Sequence, residues 1–443
     1  MKMEKCMEND KRITAVVGAG AILDFDLPEG VQKPTTKYIT GEVIGIKEIN
    51  SVSEEPITEI EDAYNVLKHE YPIEPDFEML FHVLEMWYAY GHVWRDTANP
   101  PKNHSMYPVF APFVSPRQKV DVDNVRQAIF HFLLKVMDII NSYNAPYIAD
   151  ESFNKWYRNF WKGYGGCWDV FNLNYDTTIE HSLDHCEDGF EDIPGQKDFQ
   201  HFVPQKLWTN ANGWSTMSHL HGCIEFFDER YEKKVYDREV LKYGFHDMYK
   251  YDSYEKVRDR YIGTGKSLKS NQSGEQLVGT PIITGLRKND KLNIVPFDFY
   301  HGHLFNCILK NNSLLLVGYS FGDVYMNHVI ERMELIHGNR KRVVLIDHWQ
   351  LDNNDDEQDA GQKAYWIKTM MRQYAYNNKV NNELIHFLCR MTGRMSLYNV
   401  VQCFRNYDLT GPMVSDNGCL MLFIGGFKAA AEYKDEIYGF LNS

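Results

Sequence analysis

The pattern of apolar and polar positions divides the chain into short buried strands and longer amphipathic helices. The opening stretch KRITAVVGAGAILDFDLP carries an apolar, β-branched run at residues 13–17, typical of a strand buried on both faces of a parallel sheet. Apolar residues spaced three and four apart predict helices over about 57–90 and 122–142, and Asp76 before Phe77 is a candidate N-cap. Residues 177–183 are expected to open another helix. Further apolar runs predict strands at about 168–173, 217–220, 280–285, 312–317 and 342–347. This arrangement predicts an α/β fold with a Rossmann-like parallel sheet.

The helical stretch interrupts the strands, so we divide the chain into four segments. Residues 1–49 form the first part of the core, 50–163 an all-helical insertion, 164–349 the second part of the core, and 350–443 a C-terminal extension. A charged stretch at 225–278 is predicted to be a surface excursion within the second part. The extension contains the apolar segment CLMLFIGGF and is a candidate interface for an oligomer or a partner.

Composition narrows the possible classes of protein. The 443 residues include 47 Lys and Arg against 61 Asp and Glu, a net charge of −14, which argues against direct binding of nucleic acid. The N-terminal residues carry no apolar signal core, and no apolar run approaches the roughly 20 residues of a membrane span. We therefore expect a soluble, cytoplasmic protein that does not bind membranes.

The 8 cysteines stand singly and form no C-x-x-C pair, which indicates reduced thiols and no structural zinc. Cys223 follows a His-Gly dipeptide and is either a reactive thiol or a buried structural one.

The first strand ends at Gly18-Ala19-Gly20, which predicts a phosphate cradle. Glycines after such a strand let the backbone turn tightly and approach a phosphate held by main-chain N–H groups. The third glycine of the dinucleotide-binding pattern is missing, because Leu23 stands in its place. An ordinary strand-to-helix turn therefore remains an open alternative.

Polar groups also follow the later strands, and ligands bind at the carboxyl edge of such sheets. They are Asn174, Tyr175 and Asp176, then His221-Gly222, then Gly318, Ser320 and Asp323, and finally Asp347. Each has a structural alternative, since asparagine and aspartate often cap helices and a histidine is often buried and satisfied. Asp323 and Asn327 fit a capped, packed helix equally well. His219 and His221 form an H-x-H pair that suits a metal only with a third ligand.

In this order, the motifs resemble the sirtuin-like family. GAGAILDFDLP is similar to the sirtuin glycine loop, with Pro28 at the proline of that loop, and NLNYD to the asparagine-aspartate motif. HLHG is similar to the catalytic histidine motif, PIITG to the strand after it, and VGYSFGD to the later ribose and phosphate loop. The resemblance covers roughly residues 11–34 and 166–347.

Three departures separate this chain from the sirtuin deacylases. After Cys223 no cysteine occurs up to residue 280, where the deacylases carry two zinc-binding pairs. Ile22 stands at the serine position of the glycine loop, and Leu173 replaces the glutamine before the catalytic asparagine. In the NYD form of its asparagine motif, the helical insertion near PDFEML and the GYSFGD loop, the chain more closely resembles the sirtuin-like NAD hydrolases of bacterial anti-phage defence systems.

The resemblance implies an NAD+ glycohydrolase that yields nicotinamide and ADP-ribose and depletes NAD in abortive infection. NAD is then the substrate, and no zinc or other metal is expected. The implied catalytic residues are Asn174, His221 and Asp176; the implied NAD-binding residues are Gly18, Ala19, Gly20, Pro28, Gly318, Ser320, Asp323 and Asp347.

The family also implies a homo-oligomer controlled by a partner ATPase or helicase or by a phage-derived trigger. The alternative is a non-catalytic subunit that senses NAD or ADP-ribose, which could tolerate loss of Asn174 and His221. An NAD-dependent deacylase would be expected to carry the zinc cysteines.

Overall fold

The computed structural model describes residues 12–46, 57–70, 74–95, 122–227, 248–264, 268–270, 276–278, 281–284, 292, 294–349, 380–404 and 411–443. Its strands are β1 (Arg12–Val17), β2 (Cys167–Asn172), β3 (Cys186–Glu187), β4 (Phe190–Asp192), β5 (Phe199–Phe202), β6 (Ser215–His219), β7 (Phe226–Phe227), β8 (Tyr249–Tyr251), β9 (Leu268–Ser270), β10 (Gln276–Val278), β11 (Ser313–Val317), β12 (Arg342–Ile346), β13 (Met413–Val414) and β14 (Leu420–Phe423). Its α-helices are α1 (Thr36–Ile44), α2 (Thr58–Glu70), α3 (Phe77–Arg95), α4 (Val122–Ala149), α5 (Lys155–Gly163), α6 (Pro204–Thr209), α7 (Tyr254–Thr264), α8 (Phe297–Lys310), α9 (Val324–His337), α10 (Val380–Thr392), α11 (Leu397–Gln402), α12 (Phe427–Ala430) and α13 (Lys434–Leu441).

Eight of the strands form one sheet in the order β13-β14-β12-β11-β1-β2-β6-β3. All neighbours in it are parallel except β13 and β14, which are antiparallel. The chain therefore leaves β1 toward β2 and later returns to β11 on the other side of β1. This reversal makes the carboxyl ends of β1 and β11 a topological switch point, where open α/β sheets bind ligands. The predicted α/β class with a parallel sheet is confirmed.

Both faces of the sheet are covered, as the continuous apolar runs predict. Ile13, Ala15 and Val17 belong to a core shared with the helices of residues 57–163. Val16 points to the opposite face and belongs to a second core with α8 and α9. The predicted helices occur as α2, α3 and α4, and Asp76 caps α3 by accepting a hydrogen bond from the Met79 amide at 2.8 Å. The helical insertion thus shares its core with the sheet.

Three segments differ from the expected local structure. The glycine turn leads into a one-turn 3-10 helix, Ala19–Ile22, and α1 begins only at Thr36. The helix expected at 177–183 is a 3-10 turn at Glu180–Ser182. Hydrogen bonds to residues distant in the sequence hold both turns, and the spacing of apolar residues along the chain does not predict such bonds. Of the strand expected at 280–285, residues 281–284 are described, with a single bridge from Ile282 to Gly222.

The segments assigned to the excursion and the extension both contribute to sheets. Within 225–278, β7 and β8 complete a small antiparallel sheet in the order β4-β5-β8-β7, while residues 228–247 lie outside the described residues. Beyond residue 349, β14 pairs in parallel with β12, Leu345 facing Leu422. The core sheet therefore continues past the boundary placed at 349, into the segment CLMLFIGGF.

In the described part of the chain, no helix combines the length and the apolar character needed to cross a lipid bilayer.

Candidate functional site

Three glycines bring the loops after β1 and β11 into backbone contact; we call this the glycine contact. The Gly18 amide donates to the Val317 carbonyl at 2.9 Å, and the Gly20 amide donates to the Gly318 carbonyl at 3.0 Å. A Cβ on Gly20 would lie 2.6 Å from the Gly318 Cα. Gly318 also has a φ of +58°, which favours glycine. The glycines thus allow two loops to cross at the switch point, and two of their amides are used in doing so. Ala19, between them, is exposed.

Asn174 joins the loop after β2 to the glycine contact. Its Nδ2 donates to the Gly18 carbonyl at 3.1 Å, and its main-chain amide donates to Asn172 Oδ1 at 3.0 Å. The side chain is 8 % exposed. In both bonds Asn174 donates through a nitrogen atom. Its Oδ1 accepts no hydrogen bond from the described part of the chain. That oxygen is held in place and can accept a hydrogen bond from a ligand hydroxyl or a water.

Asp176 is held by the helical layer. Its Oδ2 accepts a hydrogen bond from the Tyr143 hydroxyl of α4 at 3.0 Å, and its Oδ1 accepts from the Thr178 amide at 3.1 Å and from the Thr178 hydroxyl. The side chain is 1 % exposed. Both carboxylate oxygens therefore accept hydrogen bonds from the chain itself, which fits a structural role.

His221 pairs with Asp323 across the edge of the sheet. The distance from His221 Nε2 to Asp323 Oδ2 is 3.2 Å, and both side chains are largely buried. The other oxygen of Asp323 caps α9 by accepting from the Met326 amide at 3.0 Å. One carboxylate thus fixes a helix and orients an imidazole. Gly222 follows with a φ of +90°, and a Cβ there would lie 2.1 Å from the Pro281 carbonyl oxygen.

These bonds connect four loops in a closed ring, which we call the loop ring. The glycine contact joins the loops after β1 and β11, and Asn174 joins the loop after β2 to the loop after β1. The Ile224 amide donates to the Tyr175 carbonyl at 2.9 Å, which joins the loops after β2 and β6. The pair of His221 and Asp323 closes the ring. Residues predicted from four separate strand ends therefore meet at one edge.

A second histidine, His301, lies beside this pair and was not among the predicted residues. It lies on α8 and is 6 % exposed, and neither ring nitrogen has a hydrogen-bond partner of good geometry in the described part of the chain. Burial, reinforced by the nearby His221, lowers the pKa of His301 to about 4, so its ring is neutral at pH 7. Its ring centroid lies 5.2 Å from that of Tyr325 on α9. Only the packing of α8 against the sheet reveals it, because the sequence shows just a histidine in a mixed helix.

The remaining predicted binding residues lie on the outer parts of these loops. Pro28 is half-buried, its carbonyl accepting from the Val31 amide at 3.1 Å, and Ser320 is exposed. Asp347 Oδ2 accepts from the indole N–H of Trp349 at 2.9 Å, and burial raises the pKa of Asp347.

Asn327 shapes the loop after β11. It accepts from the Tyr319 hydroxyl at 2.6 Å and donates to the Phe321 carbonyl at 2.8 Å. This supports the structural alternative for Asn327.

Two further predictions concern a metal at the H-x-H pair and a reactive thiol at Cys223. Two groups of candidate ligands occur among the described residues, and neither contains His219 or His221: Asp169, His303 and Cys307 form one, and Glu331, Glu383 and His386 the other. His219 Nε2 lies 3.3 Å from Glu180 Oε2. Cys223 is fully buried, and burial raises the pKa of its thiol, which favours the structural alternative.

A comparison with known protein families and a comparison with curated proteins both find no match for this chain.

Proposed function

We propose that the chain hydrolyses the nicotinamide–ribose bond of NAD+, releasing nicotinamide and ADP-ribose. The observation that supports this most directly is the loop ring at the switch point. It places a preoriented amide oxygen, that of Asn174, and a carboxylate-paired imidazole, that of His221, on one edge of a parallel sheet. Open α/β sheets bind dinucleotides at this edge.

The reaction needs groups of this kind. Cleavage of the glycosidic bond passes through an oxocarbenium-like sugar, while the bonding electrons move to the pyridinium nitrogen and nicotinamide leaves neutral. Water then bonds to the anomeric carbon and loses a proton. In our proposal His221 accepts that proton, and Asp323 stabilises the imidazolium that forms. Asn174 Oδ1 accepts a hydrogen bond from the water or a ribose hydroxyl and so positions it. Asp176 has no part in this scheme, because its oxygens are already bonded.

Phosphate recognition needs donors that the glycine contact does not use. The amides of Gly18 and Gly20 donate within the chain, so we assign the pyrophosphate to the main-chain amide of the exposed residue Ala19 and to the Ser320 hydroxyl. Contact between the adenosine ribose and Asp347 stays a prediction. The wider role, NAD depletion in anti-phage defence by an oligomer under the control of a partner, rests on the sequence resemblance alone.

The test is NAD consumption and nicotinamide release by the purified full-length chain, followed by liquid chromatography. Asn174→Ala and His221→Ala should each lower the rate about 100-fold or more, as expected when a positioning or general-base group is removed. His328→Ala is the matched control, since His328 is exposed on α9. Circular dichroism and thermal unfolding check that all variants are folded.

Three outcomes decide between the proposals. Turnover that both substitutions abolish and the control retains supports the hydrolase. Wild-type protein that binds NAD but never cleaves it, alone or with candidate triggers, favours the sensor. Wild-type protein that shows neither binding nor turnover of NAD overturns both.

A further inference from the structure

A cavity of about 370 Å³ lies between the 3-10 turn at Glu180–Ser182 and the small antiparallel sheet. Five carboxylates and two lysines are among its lining residues. Phe199 and Tyr251 form an aromatic wall, with ring centroids 5.4 Å apart. The lining of the cavity therefore combines acidic groups with an apolar side, and the scheme for NAD hydrolysis does not use it.

The buried lysine of this cavity is already neutralised. Lys250 Nζ lies 2.9 Å from Glu180 Oε1 and 2.7 Å from Asp188 Oδ2. Burial opposes ionisation of Glu180, but Lys250 and His219 outweigh it and hold the pKa of this carboxyl below its usual range. Two carboxylates thus face one ammonium, and the cluster carries an excess of negative charge before any other acid is counted.

Glu225 adds a third carboxylate, to which none of the described residues donates a hydrogen bond. The side chain is 6 % exposed and lines the cavity. Its main chain bonds to Cys223 Sγ and to the Tyr251 amide, but no hydrogen bond reaches its carboxylate from the described residues. Burial raises the pKa of Glu225 to about 7, Lys250 opposing this and Glu180 adding to it. A buried carboxylate without a donor is unfavourable, and a ligand that brings a positive charge and N–H groups would relieve it.

We propose that this cavity binds a small organic cation. A primary ammonium or amidinium group donates hydrogen bonds to the carboxylate of Glu225, and an attached apolar portion packs on Phe199 and Tyr251. A divalent metal fits less well, because the carboxylates of the cavity form no ligand group of metal-binding dimensions among the described residues. This inference does not depend on NAD hydrolysis.

The experiment uses benzylammonium as the probe, titrated into the full-length chain by isothermal calorimetry at pH 8 without NAD. Benzyl alcohol, which has the same shape and no charge, is the matched ligand control. Glu225→Gln should weaken benzylammonium binding tenfold or more, and Asp259→Asn, an exposed acid on α7, should leave it unchanged. Equal binding of the alcohol, an unchanged affinity in Glu225→Gln, or no binding of benzylammonium to the wild type overturns the proposal.

A second measurement keeps the proposal testable if the variant is unstable. At pH 5.5 Glu225 is protonated, so wild-type affinity for benzylammonium should fall about tenfold or more from its value at pH 8. The titratable and charged groups that face Glu225 are Lys250, Glu180, His219 and Asp188. An affinity that does not change with pH contradicts the proposed contact.

Discussion

Replacement of Glu225 by glutamine should make the folded protein more stable at alkaline pH and leave it little changed at acidic pH. Burial raises the pKa of Glu225 from 4.5 to about 7 in the folded state, with Lys250 opposing this shift and Glu180 adding to it. Between these values the folded protein holds a proton that the unfolded chain has released. Stability therefore falls as pH rises through this window and levels off above about pH 7.

The size of the effect follows from the two pKa values. Above pH 7, the difference between 4.5 and about 7 lowers the unfolding free energy of the wild-type protein by about 3 kcal/mol. Glutamine imitates the protonated carboxyl in shape and charge, so it removes the pH-dependent part. The difference in stability between variant and wild type should thus grow from about 1 kcal/mol at pH 5 to about 3 kcal/mol at pH 8.

Urea unfolding at pH 5, 6, 7 and 8, followed by circular dichroism, measures this difference. His301 and His303, whose pKa values burial lowers to about 4, make both proteins less stable as the pH falls below 6.5. Their contribution is common to both proteins and cancels in the comparison. Asp259→Asn is the control for removing an exposed acid. A stability difference that stays constant from pH 5 to pH 8 would refute the reasoning, because it would mean that Glu225 ionises as freely in the fold as in the unfolded chain.

Two further predictions concern the loop ring. Gly20→Ala should lower the unfolding free energy by about 2 kcal/mol or more, because its Cβ would lie 2.6 Å from the backbone of Gly318. The control is Gly41→Ala in α1, where a Cβ would meet nothing within 4 Å. This variant should be neutral or stabilising by up to about 1 kcal/mol. Equal unfolding free energies for the two variants would show that the loops can separate at no cost. Asp323→Asn should retain the helix cap, since asparagine caps as well as aspartate, and should lower the proposed NAD turnover about 100-fold by removing the charge that faces His221. Unchanged turnover in a folded variant would exclude a role for this carboxylate in the chemistry.

The sequence by itself determined the class of fold and the edge at which the candidate residues lie. Apolar periodicity is a local property, so it predicted β1 and the helices α2 to α4. Because parallel strands end at the same edge, Asn174, His221 and Gly318 had to lie there once their strands were identified. The sequence also predicted the N-cap at Asp76, because the amide that it accepts from, that of Met79, is only three residues away.

Only the tertiary structure decided what each of these side chains contacts. His221 and Asp323 are 102 positions apart, and no pattern in either segment indicates that they pair. Asp176 lies at the predicted edge, but its position there did not reveal that the Tyr143 hydroxyl of α4 donates to its carboxylate.

The same limit applies to His301, to the carboxylate of Glu225 and to the pairing of β14 with β12. Burial, hydrogen bonding and pKa depend on which distant segments pack together. Backbone periodicity reflects only neighbours along the chain, so it fixes where a residue lies in its own element and leaves its tertiary contacts undetermined.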